Sequence, residues 1–67
     1  MSLRSATIPQ LQDVAVRAAN RIALIDRGAA PATPCARENA QELLRRVRAE
    51  LYSRHADVPA TAREVLL

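Results

Sequence analysis

The sequence predicts an all-α fold, an antiparallel helical hairpin over residues 7–27 and 34–56 with a short third helix over 58–66. Two segments of similar length carry apolar residues at three- and four-residue spacing, which is typical of amphipathic helices. The single glycine and Pro31 fall between these segments and mark a linker over 28–33. Helices of similar length joined by a short linker favour an antiparallel hairpin.

The first helix has a start signal and a stop signal. Thr7 and Gln10 fit a capping box, in which each side chain accepts a hydrogen bond from the backbone N–H of the other residue. Pro9 falls in the first turn, where its missing N–H costs nothing. Gly28 is expected just past the helix end, in the left-handed conformation. The apolar stripe between these signals comprises Ile8, Leu11, Val14, Ala15, Ala18, Ile22 and Ile25.

The second helix is predicted to begin with Thr33 as N-cap and Pro34 as its first residue. It is predicted to end at about His55 or Ala56, because the residue before Pro59 is biased away from the helical region. Its apolar residues recur at helical spacing: Ala36, Ala40, Leu43, Leu44, Val47 and Leu51.

The third helix is expected to be short and capped by Asp57, with one apolar face that comprises Val58, Ala62, Val65 and Leu66. This tail could pack on the hairpin or dock on a partner. We interpret residues 1–67 as a single small domain with a flexible N-terminus over 1–6.

The composition predicts a thin core. The 67 residues include no Phe or Trp and a single Tyr, although aromatic side chains supply much of the area in most cores. A chain of this length buries only about 60% of the surface that its unfolded form exposes. One cysteine and one histidine exclude a disulfide framework or a zinc finger within one chain.

The apolar arc of the first helix spans about half of its circumference, wider than the ~100° that one neighbour covers. We therefore expect a further helix on it, from the tail, a second copy or another protein. Dimerisation into a helical bundle is the expected completion. The predicted protein-interface residues are Leu11, Ala15, Ala18, Ile22 and Ile25 on the first helix and Leu44, Val47 and Leu51 on the second.

These features favour a non-catalytic protein–protein interaction module, such as an accessory subunit, a small chaperone-like adaptor or an inhibitor. Catalysis needs several groups gathered in a concave pocket. Cys35 and His55 stand at opposite ends of the second helix, about 30 Å apart, and cannot form a catalytic pair within one chain. We expect no enzyme activity, cofactor, metal or small-molecule substrate.

The alternative hypothesis is a small nucleic-acid-binding regulator. The net charge is +3, and one flank of the second helix carries Arg37, Arg45, Arg48 and Tyr52, which could contact phosphates and stack on a base. A solvated helix face, with Arg stems covering the apolar seam, is the simpler interpretation.

Other charges are predicted to pair along the helices, as Asp13 with Arg17, Glu42 with Arg46 and Glu50 with Arg54. Apolar runs such as Ile22–Ile25 are far shorter than the ~20 residues that span a bilayer. No membrane contact is expected, and since the sequence offers neither an export signal nor a cysteine pair, we expect a cytoplasmic protein.

Overall fold

The structure, a computed structural model, describes residues 3–31 and 33–64. In these ranges a 3-10 turn at Leu3–Ser5 precedes three helices, α1 (Ile8–Asp26), α2 (Ala36–Ser53) and α3 (Ala60–Glu64). The two long helices pack against each other, and α3 packs on α1. The described chain is therefore all-helical, which confirms the predicted hairpin with a short third helix.

The capping box at the start of α1 is confirmed. The backbone N–H of Thr7 donates to Gln10 Oε1 at 2.8 Å, and the N–H of Gln10 donates to Thr7 Oγ1 at 3.2 Å. Two of the N–H groups that a helix start leaves unpaired are thus satisfied by local side chains.

The glycine stop at the end of α1 is also confirmed. Gly28 has φ +73°, and its N–H donates to the carbonyl of Ile25 at 3.0 Å. The N–H of Ala29 donates to the carbonyl of Leu24 at 2.9 Å. This pair of hydrogen bonds is the Schellman motif, in which glycine adopts the left-handed conformation without steric strain.

α2 begins two residues later than predicted, and the assignment of Thr33 as its N-cap is wrong. The N-cap is Cys35, which is left-handed (φ 67°, ψ 3°) and makes no side-chain capping hydrogen bond. The N–H of Ala36 donates to the carbonyl of Thr33 at 3.0 Å. Pro34 therefore stands second in a β-turn rather than first in a helix, and Cys35 has the positive φ of the third position of a type II turn.

α2 ends at Ser53, two to three residues before the predicted end. His55 has φ +56°, its N–H donates to the carbonyl of Tyr52 at 3.0 Å, and the N–H of Ala56 donates to the carbonyl of Leu51 at 2.9 Å. The hydrogen bonds repeat those at the end of α1, with a histidine in the position of the glycine.

α3 also begins two residues later than predicted. The carbonyl of Pro59 accepts the N–H groups of Ala62 and Arg63, both at 3.0 Å, so the first helical turn closes on the proline. Val65 and Leu66, which were predicted to continue the apolar face, lie outside the described residues.

The tail docks on α1 of its own chain. Val58 is 4% exposed and Ala62 is fully buried, and Gln12 Nε2 donates to the carbonyl of Asp57 at 3.0 Å. The broad apolar arc of α1 is thus covered by α2 on one side and by the tail on the other. The buried core comprises Ala6, Leu11, Ala15, Ala18, Ala19, Ile22, Ala40, Leu44, Val47, Leu51, Val58 and Ala62.

Arg54 anchors the described part of the N-terminus that the sequence predicted to be flexible. Its guanidinium donates to the backbone carbonyls of Leu3 at 3.0 Å and Arg4 at 2.9 Å, and to that of Ala6. Its Nε also donates to Glu50 at 2.8 Å. One side chain at the end of α2 therefore satisfies carbonyls of a segment that lies about fifty residues earlier in the chain.

Candidate interaction surface

Most of the predicted protein-interface residues lie inside the chain. Ile25 is half-buried near the end of α1. The other seven are at most 5% exposed: Leu11, Ala15, Ala18, Ile22, Leu44, Val47 and Leu51. Since α2, α3 and the N-terminal turn already cover these seven side chains, a partner of the folded chain reaches at most Ala18, which is 5% exposed and lines a depression between α1 and α2. This corrects the choice of surface, and the residues available to a partner must lie elsewhere.

The predicted anion-binding flank of α2 is partly neutralised. Arg37 forms a two-point pair with Asp26, with Nε to Oδ1 at 2.7 Å and Nη2 to Oδ2 at 3.3 Å. The hydrogen bond from Arg37 holds the pKa of the Asp26 carboxyl below its ordinary value. Arg45 donates to Glu42 at 2.8 Å, and Arg46 donates to the other oxygen of Glu42 at 3.0 Å. Two of the three predicted phosphate-binding arginines thus already hold carboxylates.

Arg48 differs from the other two arginines of this flank, because the described residues offer it no carboxylate. Its Nε is enclosed without a hydrogen-bond acceptor. Beside it, Tyr52 is 56% exposed. Together with Arg45 and Ala49, these residues line a shallow depression of about 300 Å³. This depression is what remains of the predicted flank as a site for an anion.

A larger surface runs along the seam between α1 and α2. One depression of about 470 Å³ is lined by residues that include Val14, Arg17, Arg21, Asn39 and Leu43. A second, of about 350 Å³, is lined by residues that include Gln10, Asp13, Val14 and Leu43. Because Val14 and Leu43 border both depressions, the two form one continuous open trough. We call this trough the seam surface.

Leu43 is the apolar centre of the seam surface. It is 40% exposed, and the half-buried Val14 lies across from it on α1. The sequence analysis placed Leu43 among the apolar residues of α2, because helical periodicity alone does not distinguish an exposed apolar position from the core. α3 packs on α1, and none of its described residues lines either depression, so α3 does not cover Leu43.

The α1 edge of the seam surface carries charges in a fixed order. Gln10, Asp13, Arg17 and Arg21 follow at three- and four-residue spacing and therefore lie along one edge of the helix. Asp13 pairs with Arg17 at 3.0 Å, with the two side chains 56% and 79% exposed. Arg21 meets no carboxylate among the described residues, so the edge is acidic near its beginning and basic toward its end.

The other groups that could support chemistry are dispersed. Cys35 is exposed at the start of α2, and His55 lies past its opposite end. The described residues contain no cluster of three or more His, Cys, Asp or Glu side chains placed to hold a metal ion. None of the described helices combines the length and the apolar character needed to cross a bilayer.

Comparison of the chain with protein-family models, with curated proteins and with solved structures finds no match.

Proposed function

We propose that the chain is a non-catalytic protein–protein interaction module that binds a helical face of a partner protein through the seam surface. The observation that carries this proposal is the exposure of Leu43 at the junction of the two depressions. Burying the exposed part of a leucine side chain contributes about 1 kcal/mol. A leucine that lies in a concave, partly apolar trough is therefore well placed to anchor a partner.

The shape of the trough favours a helix as its occupant. Two neighbouring helices leave a groove between them, and the side-chain ridges of a third helix fit into such grooves. The apolar floor suits an apolar stripe on that helix, and the charges of Asp13, Arg17 and Arg21 suit charges of opposite sign along its edge. The partner is thus a helical face with an apolar centre and a charged border.

The closed core supports docking by a folded chain. The arc of α1 is covered by α2 and the tail, so binding at the seam surface requires no partner-assisted folding. We expect association with little change in the backbone, as in most pre-organised complexes.

The test compares Leu43→Asp with Ile8→Asp. Ile8 is 37% exposed, close to the 40% of Leu43, but it borders neither depression of the seam surface. Complexes of the chain with itself are measured by light scattering after size exclusion. Complexes with another protein are trapped by a photo-crosslinker at position 43 or 8 in the source cells, then rebuilt from the two purified components.

The expected result is a defined complex that Leu43→Asp abolishes and Ile8→Asp retains, with both variants as helical as the parent by circular dichroism. Equal behaviour of the two variants, or equal crosslinking from both positions, would overturn the proposal.

A second candidate function, nucleic-acid binding, is favoured by one observation: Arg48 has no carboxylate partner among the described residues and lies beside the exposed Tyr52. Phosphate contacts release counterions, so such binding weakens steeply with salt, whereas apolar helix association weakens little. Fluorescence anisotropy with single-stranded and duplex oligonucleotides at low salt, on the parent and on Arg48→Ala, tests this function. Absence of binding at low salt eliminates it.

A further inference from the structure

We infer that the occupant of the seam surface is a second copy of this chain, packed with its α1 antiparallel to α1 of the first copy. This inference rests on the proposed function and names its partner. It follows from the order of charges along the α1 edge and from the position of the apolar centre between them.

The charge order makes the edge complementary to itself when reversed. Asp13 and Arg21 are eight residues apart, about 12 Å along the helix axis at 1.5 Å per residue. A two-fold axis that crosses α1 at a right angle reverses the direction of the second copy and brings its basic end over the acidic end of the first. A parallel arrangement would instead place like charges together, which is unfavourable.

The apolar centre fixes where this axis passes. Val14 and Leu43 border both depressions, so they lie at the middle of the trough. An axis that crosses α1 between the levels of Val14 and Arg17 sets Leu43 near Leu43 of the second copy. It also places each Asp13 between Arg17 and Arg21 of the other copy, with Gln10 opposite Arg21.

The exposed ion pair on this edge permits the exchange of partners. Asp13 and Arg17 are 56% and 79% exposed within the chain, so turning the carboxylate toward a second copy costs little. Arg21, which has no carboxylate among the described residues, gains one.

The dimensions of the molecule are sufficient for such an interface. The two longest extents of the chain are 34 and 23 Å, and a face of this size can bury the roughly 800 Å² per partner that standard interfaces bury. Two hairpins joined in this way form a bundle of four long helices, an arrangement that antiparallel helix pairs commonly adopt.

The test is a charge exchange between the two ends of the edge. Dissociation constants are measured by sedimentation equilibrium for the parent, Asp13→Arg, Arg21→Asp and the double variant. Each single change sets like charges against each other across the axis and should weaken the dimer about tenfold or more. The double variant restores opposite charges between positions 13 and 21 but leaves the new guanidinium at position 13 beside Arg17 of the other copy, so it should recover only part of the loss of the single variants.

Arg63→Asp is the matched control. Arg63 is an exposed arginine on α3, and it lies outside both depressions of the seam surface. The same reversal of charge there should leave the dissociation constant unchanged. Circular dichroism confirms that all variants keep the helical fold.

Three results would overturn the inference: a parent chain that stays monomeric up to about 1 mM, a double variant no better than the single ones, or equal weakening by Arg63→Asp. If the chain is monomeric but forms a complex with another protein that Leu43→Asp abolishes, the proposed function stands and the second copy is excluded as the occupant. If Leu43→Asp and Ile8→Asp abolish the complex equally, the proposed function itself fails.

Discussion

α1 and α2 have nearly the same length, 19 and 18 residues, but different residue types form their ends. α1 starts with a reciprocal capping box and stops at a glycine. α2 starts at a left-handed cysteine without a side-chain cap and stops at a left-handed histidine. The ends of α1 are therefore specified by neighbouring residues, whereas those of α2 require contacts from elsewhere in the fold to keep strained residues in place.

The contacts that hold α2 are identifiable at both ends. At its start, Arg37 binds Asp26 at the end of α1 and bridges the linker. At its end, Arg54 holds three carbonyls of the N-terminal turn and pairs with Glu50. The second half of the hairpin therefore depends on arginine contacts that reach other elements of the fold.

The largest effect is expected from Arg54→Ala. The change leaves the backbone carbonyls of Leu3, Arg4 and Ala6 without the guanidinium that donates to them. A hydrogen bond to a charged group contributes about 1.5–3 kcal/mol to stability. Since neighbouring bonds share one side chain and water can reach some carbonyls, we expect a net loss of about 2–3 kcal/mol in the free energy of unfolding, measured by urea denaturation.

Arg46→Ala is the control for Arg54→Ala. Within the described part of the chain Arg46 pairs only with Glu42, and its side chain is 69% exposed. Its loss should change stability by about 0.5 kcal/mol or less. Equal effects of the two changes would mean that the N-terminal turn contributes nothing to the fold.

The next largest effect is expected from Gly28→Ala at the end of α1. Apart from its two chain neighbours, no atom of the described residues lies within 4 Å of the Cβ that this change would add, so its main consequence is an alanine held at positive φ. The left-handed conformation costs an ordinary residue about 1–2 kcal/mol, of which the stiffer unfolded chain offsets a part. A net loss of about 1 kcal/mol should appear as a lower urea midpoint with an unchanged slope.

Glycine at the ends of α2 should have the opposite effect. Cys35→Gly and His55→Gly each relieve a positive φ and make the unfolded chain more flexible, for a net gain of about 0.5 kcal/mol. Cys35→Gly should gain more, because histidine tolerates the left-handed region better than most residues. Ala49→Gly, inside α2, should lose about 1 kcal/mol by the same measurement. A loss from both end variants would show that Cys35 and His55 are unstrained.

The same contrast explains which parts of the fold the sequence predicted. The capping box of Thr7 and the stop at Gly28 depend on a few adjacent residues, and both were predicted correctly. The start of α2 was misplaced because Pro34 fits a first helical turn as well as a β-turn. Whether Pro34 starts a helix or lies in a β-turn depends on contacts made by Ala36 and Arg37. The spacing of residues in the sequence does not reveal these contacts.

The candidate surface was harder to predict for a related reason. Periodicity identified the apolar positions of both helices, but it could not say which neighbour would cover each of them. The buried Val58 and Ala62 fill the side of α1 for which the sequence left the tail, a second copy and another protein as alternatives. Leu43, classed with the apolar face of α2, is 40% exposed because nothing in the described chain packs over it.

The smallest effect is expected from the pair of Asp26 and Arg37, and it depends on pH. The pair lowers the pKa of Asp26 in the folded chain, so its stabilising contribution is fully present above the pKa of the unfolded state. That contribution declines as the pH falls through the lower, folded pKa. The stability difference between the parent and Asp26→Asn should therefore be constant near neutral pH and shrink in acid.

The salt dependence of stability distinguishes the Asp26–Arg37 pair at the start of α2 from the hydrogen bonds of Arg54 at its end. Both Asp26 and Arg37 are substantially exposed, with side chains 49% and 39% accessible, so high salt should screen the pair and reduce the effect of Asp26→Asn at pH 7. The effect of Arg54→Ala should persist, because its side chain is only 23% accessible. Urea denaturation at 0.05 and 1 M salt measures both; equal salt sensitivity would contradict the assignment of Arg54 as a partly buried anchor at the end of α2.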